Sequence, residues 1–216
     1  MPRDIAKLTA IRFPAQEAMK KTDFVLICGD FGGVWSGRPG ELYCRAWLDS
    51  KPFTTLFIDG NHENFDLLNA YPVQLWNGGK AHFVTDSIIH LMRGQIFTIE
   101  GKTLFTMGGA SSVDKALRRE SVSWWKEELP SDGEYEEALR NLDACGWQVD
   151  YVATHTVPAR ILSELRPRMR PDPLNLFLDS VQDRLTYTKW FSGHLHEDRE
   201  INERYFLKYQ DVERVI

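Results

Sequence analysis

The sequence predicts an α/β fold in which one mixed sheet, or two packed sheets, is flanked by helices, and three observations point to it. Apolar runs such as Phe24-Val25-Leu26-Ile27-Cys28 and Thr54-Thr55-Leu56-Phe57-Ile58 end abruptly at Gly or Asp, as strands buried on both faces of a parallel sheet do. Helical stretches alternate with those runs, which is the βα pattern. Between residues 82 and 107 the pattern changes to short strands separated by turn residues, an antiparallel patch.

Taken in order, Ile5 to Lys21 reads as a helix with Ile5 and Leu8 on one face and a break near Pro14. The Phe24–Cys28 strand ends at Gly29-Asp30. A helix from about Glu41 to Leu48 leads to the Thr54–Ile58 strand, which ends at Asp59-Gly60-Asn61-His62. The patch comprises His82–Val84, Ile88–Met92, Gln95–Ile99 and Thr103–Met107, with Arg93-Gly94 and Glu100-Gly101 at its turns. Helices are expected from about Asp114 to Glu128 and Gly133 to Ala144. A third buried strand, Val149–Ala153, runs into Thr154-His155. A helical turn after Pro158, a Pro/Arg loop and a helix from about Leu174 to Leu185 precede the last strands, Thr188–Phe191 and about Tyr205 to Tyr209. No linker interrupts the pattern, so residues 1–216 read as one domain.

Of the 216 residues, 43% are hydrophobic and 26% charged, with seven Trp and twelve Phe, enough for a core without crosslinks. Cys28, Cys44 and Cys145 have unrelated spacings, which argues against a disulfide framework and a Cys-rich zinc site. No apolar stretch approaches a membrane span, and Met1-Pro2-Arg3-Asp4 has no apolar signal region behind it. A cytoplasmic setting without membrane contact is the expectation. The net charge of −5 argues against a broad grip on nucleic acid, while a phosphorylated small molecule or protein remains a fitting substrate because metal supplies positive charge. The oligomeric state is not written in these features.

Of six histidines, His62, His155, His194 and His196 sit at or just beyond the end of a predicted strand, as does Asp30. Strand carboxyl ends are where the loops of α/β sheets converge on ligands. Asp30 offers a carboxylate able to bridge two ions, Asn61 a carbonyl oxygen, and the histidines neutral imidazole. Such an O/N set suits divalent Mn, Fe, Zn or similar ions. If the 193–196 segment is extended, His194 and His196 share a face and serve neighbouring ions.

Gly29-Asp30, Gly60-Asn61-His62-Glu63, His155 after a strand, and Gly193-His194-Leu195-His196, in that order, resemble the calcineurin-like metallophosphoesterases. The resemblance implies a two-sheet sandwich flanked by helices and hydrolysis of a phosphomonoester or phosphodiester through metal-activated hydroxide. It implies that Asp30 bridges two metals, that Asn61, His155 and His194 hold the second ion, and that His196 belongs to the first. Asp30 and His62 are then the catalytic residues, His62 being the acid beside the leaving-group oxygen. The family's opening Asp-x-His does not precede Asp30 in this sequence, and Gly33 stands where the family often has Asp or Asn. The expectation is therefore a sandwich lacking that first strand. One ion has four protein ligands, the other only Asp30 and His196, and activity is impaired. The rival reading is a degenerate domain that binds metal or a phosphorylated ligand without turnover.

The remaining polar residues have plainer readings. His82 and His90 are expected as ordinary core or surface residues, and Asp59 as a turn residue. Ser111-Ser112 reads as a cap for the next helix, with lining of the site as the alternative. Arg118 and Arg119 read as an exposed helix face, with phosphate steering as the alternative. Trp124-Trp125 reads as packing, and the Arg160, Arg166, Arg168 and Arg170 cluster as a solvated loop.

Overall fold

The computed structural model describes residues 5–215; Met1–Asp4 and Ile216 lie outside the described residues. Eleven strands and five α-helices are found there: β1 (Phe24–Cys28), α1 (Pro39–Asp49), β2 (Thr54–Ile58), α2 (Phe65–Leu68), β3 (Val73–Trp76), β4 (Gly79–Thr85), β5 (Ile88–Leu91), β6 (Gln95–Ile99), β7 (Lys102–Met107), α3 (Asp132–Ala144), β8 (Tyr151–Thr154), α4 (Ala159–Leu165), α5 (Pro173–Arg184), β9 (Lys189–Ser192), β10 (Arg199–Asn202) and β11 (Tyr205–Leu207). They form two mixed sheets, ordered β1-β2-β5-β4-β3 and β10-β11-β9-β8-β7-β6. β1, β2 and β5 run parallel, as do β7, β8, β9 and β11. The two-sheet alternative is the one realised, and the meander divides between the sheets at Arg93-Gly94.

Alternation along each strand sorts side chains into three apolar layers. Leu56 and Ile58 of β2 face between the sheets, with Ile89, Leu91, Phe97, Ile99, Leu104 and Ala153. Phe57, between them in sequence, points to the outer layer with Leu48 of α1, Phe53 and Phe31. On the far side, Val152, Trp190 and Tyr205 pack against Leu142 of α3, Leu162 of α4 and Leu178 of α5. β2 is buried at every position, as its unbroken apolar run predicts.

Three expectations need correction. The first segment is two 3-10 turns, Ile5–Leu8 and Pro14–Ala18, rather than a helix to Lys21; Pro14 opens the second turn, where its fixed φ fits. The helix expected from Asp114 to Glu128 is instead a loop with 3-10 turns at Lys115–Leu117 and Lys126–Glu128. Tertiary contacts override helix propensity there: Trp125 is buried, donates to Asp66 Oδ2 at 2.8 Å and packs edge-on against Trp35. Ser121 adopts φ 56°, which ends any helix. Ser111 and Ser112 therefore cap no helix; Asp114 precedes the turn and makes no capping bond with its side chain.

Asp59 is a buried anchor. Its Oδ2 accepts from Arg93 Nε at 2.9 Å and Nη2 at 2.6 Å, and its Oδ1 lies 3.2 Å from His90 Nε2. Arg93 also donates to the Glu127 carbonyl, tying the end of the first sheet to the loop ahead of α3. His90 Nδ1 faces His82 Nδ1 at 3.1 Å, so both rings are core members of one network. These groups line a cavity that Asp30, Asn61, His155 and His194 do not reach. Burial alone would raise the Asp59 carboxyl, but the Arg93 charge and the His90 and Arg93 hydrogen bonds hold it well below the usual carboxylate range.

Removing one partner strands a buried charge, so Arg93→Met should lower the unfolding free energy by about 3–5 kcal/mol. Urea unfolding checks this, and a loss below ~1 kcal/mol would refute the anchoring role. Because the folded Asp59 is depressed, its contribution is present above an unfolded carboxyl value of about 3.9 and is lost as pH falls further. Wild type should therefore lose more stability than the variant between neutral and strongly acidic pH.

Candidate metal centre

Each sequence-derived site residue stands just past a strand end: Asp30 after β1, Asn61 and His62 after β2, His155 after β8, and His194 and His196 after β9. The parallel pairs β1/β2 and β8/β9 point these ends the same way. Asp30 Oδ1 lies 3.3 Å from His155 Nε2, and Asn61 Oδ1 also lies 3.3 Å from that nitrogen. His62 donates its backbone N–H to Asp30 Oδ1 at 2.9 Å. The His194 ring sits edge-on to His155, 5.0 Å between centroids. Asp30, Asn61, His62, His155 and His194 thus meet, although β1–β2 and β8–β9 belong to different sheets.

Glycines allow the approach. A Cβ on Gly60 would fall 2.2 Å from Asp30 Oδ1, and one on Gly29 2.1 Å from His155 Nδ1. The backbone is also bent where the donors sit, with φ of 54° at Asp30, 62° at His194 and 55° at His196. Left-handed residues other than Gly are costly and collect at functional sites. The 193–196 segment is therefore not extended, so the condition for His194 and His196 to share a strand face is not met. His196 is exposed and stacks on Tyr209, 5.0 Å between centroids at 22°.

Hydrogen bonds outside the cluster decide which atoms face inward. His155 donates Nδ1–H to the Cys28 carbonyl at 2.7 Å, leaving Nε2 toward Asp30 and Asn61. Asn61 donates its amide N–H to Ser112 Oγ at 2.9 Å, which turns its carbonyl inward. Ser112 in turn donates its hydroxyl and its backbone N–H to the two oxygens of buried Glu128, each at 3.0 Å. Glu63, fully buried, accepts from Phe31 N at 2.7 Å and Gly32 N at 3.1 Å, binding the Asp30 loop to the Asn61-His62 loop.

A carboxylate oxygen and an amide oxygen consequently both face one imidazole nitrogen. That arrangement is repulsive unless a positive charge sits among them. A proton on His155 is one solution: burial opposes its charge, but the Asp30 charge and hydrogen bond outweigh burial and raise its pKa. Reciprocally, burial is outweighed by the His155 charge and hydrogen bond, and Asp30 lies well below the usual carboxylate range. A divalent cation is the other solution, and the donor set fits one. Among the described residues no group of three or more His, Cys, Asp or Glu is arranged to hold a metal; the Asn61 carbonyl is the third donor here. His194 is pushed down to about 3, by burial first and then by the His155 charge, so it is neutral and able to ligate.

Sequence reasoning missed Glu128 and the Cys28 carbonyl, quoted Glu63 in its motif without giving it a role, and favoured a helix cap for Ser112. Arg118 was expected mainly on an exposed helix face; it lies instead 3.4 Å from His62 Nδ1 through Nη1. The position of Ser112 just past β7 is the one signal that places it at the same edge as the donors.

A family model described as calcineurin-like phosphoesterase matches residues 4–198. A search of curated proteins finds no match to this chain.

Because Ser112 and Glu128 fix the Asn61 carbonyl, Ser112→Ala and Glu128→Gln should each weaken Mn binding by about 10–100-fold, the usual cost of losing an outer hydrogen bond to a ligand. Calorimetric titration with Mn checks this, and wild-type affinity in both variants would show that the amide is held by something else.

Proposed function

This chain belongs to the calcineurin-like phosphoesterase family, whose members hydrolyse phosphoesters with divalent metals, and from that premise we propose that it hydrolyses a phosphomonoester or phosphodiester at the Asp30–Asn61–His155–His194 cluster. The observation that carries the reading is the convergence of two oxygens, Asp30 Oδ1 and Asn61 Oδ1, on His155 Nε2, each at 3.3 Å. When bound, the metal supplies Lewis-acid polarisation of phosphoryl oxygens and acidifies water.

The residues' own contributions follow from their surroundings. Asp30, Asn61, His155 and His194 hold the ion; Asp30 and His196 are the donors we assign to a second, weaker position. The Ser112–Glu128 bonds keep the Asn61 carbonyl aimed inward, and Cys28 keeps the His155 ring oriented. His62, whose backbone N–H binds Asp30, is the residue we assign to the side of the leaving-group oxygen. We assign manganese as a fitting ion and a phosphorylated small molecule or protein as substrate. A cytoplasmic setting accords with three free cysteines, and no helix among the described residues is long and apolar enough to cross a membrane. The exposure of His196 and its stacking on Tyr209 favour a second reading, in which one ion is bound without turnover.

Mn-loaded protein should release p-nitrophenol from p-nitrophenyl phosphate or from its bis-ester, and a chelator should stop it. Asn61→Ala and His155→Ala should fall to background. Equal background rates in all three proteins, with Mn bound, would reject catalysis by this site in favour of the binding reading.

A further inference from the structure

The loop after β7 pairs its charges within itself and presents its apolar side chains to water, the reverse of an ordinary surface turn. Leu117 N–H donates to the Asp114 carbonyl at 2.9 Å and Arg118 N–H to the Lys115 carbonyl at 3.0 Å, which folds residues 114–118 into a tight turn. Asp114 Oδ2 accepts from Arg118 Nε at 2.8 Å. Lys115 Nζ lies 3.5 Å from Oε2 of buried Glu128 and 5.0 Å from the Trp124 ring centroid. Val113, Ala116 and Leu117, by contrast, are exposed. Among the described residues the four most exposed large apolar side chains are Ile11 at 93%, Leu117 at 90%, Val113 at 84% and Leu75 at 82%, so two of the four stand on this one turn. Its roots are at the metal centre. Ser112, just before Val113, accepts from the Asn61 amide at 2.9 Å, and Arg118, just after Leu117, places Nη1 3.4 Å from the His62 ring. The chain thus leaves from beside Asn61 and returns beside His62.

We propose that this turn is an apolar lip that receives the hydrocarbon part of the substrate, so that the substrate class is amphiphilic phosphoesters rather than phosphates of sugars and other wholly polar groups. The inference rests on the phosphoesterase reading of the centre and names the substrate which that reading leaves open. An isolated exposed aliphatic residue is ordinary, but apolar side chains grouped in the open beside a site mark a binding surface. Val113 and Leu117 belong to none of the three apolar layers, so packing of the fold gives no reason for them. The pairing of Asp114 with Arg118 and of Lys115 with Glu128 draws the turn's charged groups to one another, leaving hydrocarbon at its exposed positions. Arg119, exposed at the next position, adds a positive charge that suits an anionic head. Methylenes of an ester substituent gain affinity by leaving water against Val113 and Leu117, and hydroxyl-bearing substituents do not.

Alkylphosphonates, which are not hydrolysed, test the lip by calorimetry on the Mn-loaded full chain without calling on turnover. Affinity should rise by about tenfold or more from ethylphosphonate to octylphosphonate, since each fully buried methylene adds about fourfold. In the Val113→Ser/Leu117→Ser double variant the rise should shrink to about threefold or less. Leu75→Ser, similarly exposed but on β3, should keep the wild-type rise. A flat series in wild type, or an undiminished rise in the double variant, would overturn the proposal. So would wild-type sedimentation with phosphatidylglycerol vesicles that the double variant loses, because the turn would then be a membrane contact. Phosphate release from octyl and ethyl phosphate adds the catalytic arm: kcat/KM should favour octyl in wild type, and the double variant should lose that preference. Length-dependent phosphonate binding without turnover of any ester would defeat the phosphoesterase reading and leave the lip standing. Turnover of p-nitrophenyl phosphate beside a flat phosphonate series would defeat the lip alone.

Discussion

A single positive charge is what the arrangement at the strand ends requires. Asp30 Oδ1 and Asn61 Oδ1 both present a lone pair to His155 Nε2, and outside hydrogen bonds hold each group in place. The His155 ring is fixed by the Cys28 carbonyl, the Asn61 amide by Ser112, and the Asp30 carboxylate by the His62 backbone. The glycines before Asp30, Asn61 and His194 and the left-handed turns at Asp30 and His194 exist in service of that closeness. Folding energy from three apolar layers holds together atoms that would otherwise separate.

Much of this was legible in the sequence, and the reason is local. β1 and β2 are unbroken apolar runs ended by Gly or Asp, so their bounds, Phe24–Cys28 and Thr54–Ile58, are those read from the sequence. Asp30, Asn61, His62, His155 and His194 could be named because donors at strand ends have few structural reasons to recur there. What was not legible depends on contacts distant along the chain. Glu128 is an ordinary acidic residue in sequence, and only the folded loop brings it to Ser112. The 114–128 stretch has helix-favouring residues, yet Trp125 is taken into the core by Asp66 and Trp35, fifty-nine and ninety residues earlier in the chain. Asp59 offers no sign in sequence that Arg93, beyond the next three strands, will bury it.

The same loop links two functions that are separate in sequence. Ser112 and Glu128 aim a donor atom, and Arg118 reaches the neighbouring His62 imidazole. Asp114 and Ser123 hold the guanidinium in turn, so the loop acts as an outer frame around the centre. The Asp59–Arg93 anchor fixes that frame from behind through the Glu127 carbonyl, next to Glu128.

The Glu128–Ser112–Asn61 chain has a thermodynamic corollary. A cation gripping the Asn61 carbonyl and the ordering of the 111–128 stretch are reciprocal: each favours the other by one and the same free energy. Agents that loosened that stretch would thereby weaken the hold on an ion, and an ion held there would protect it from local opening.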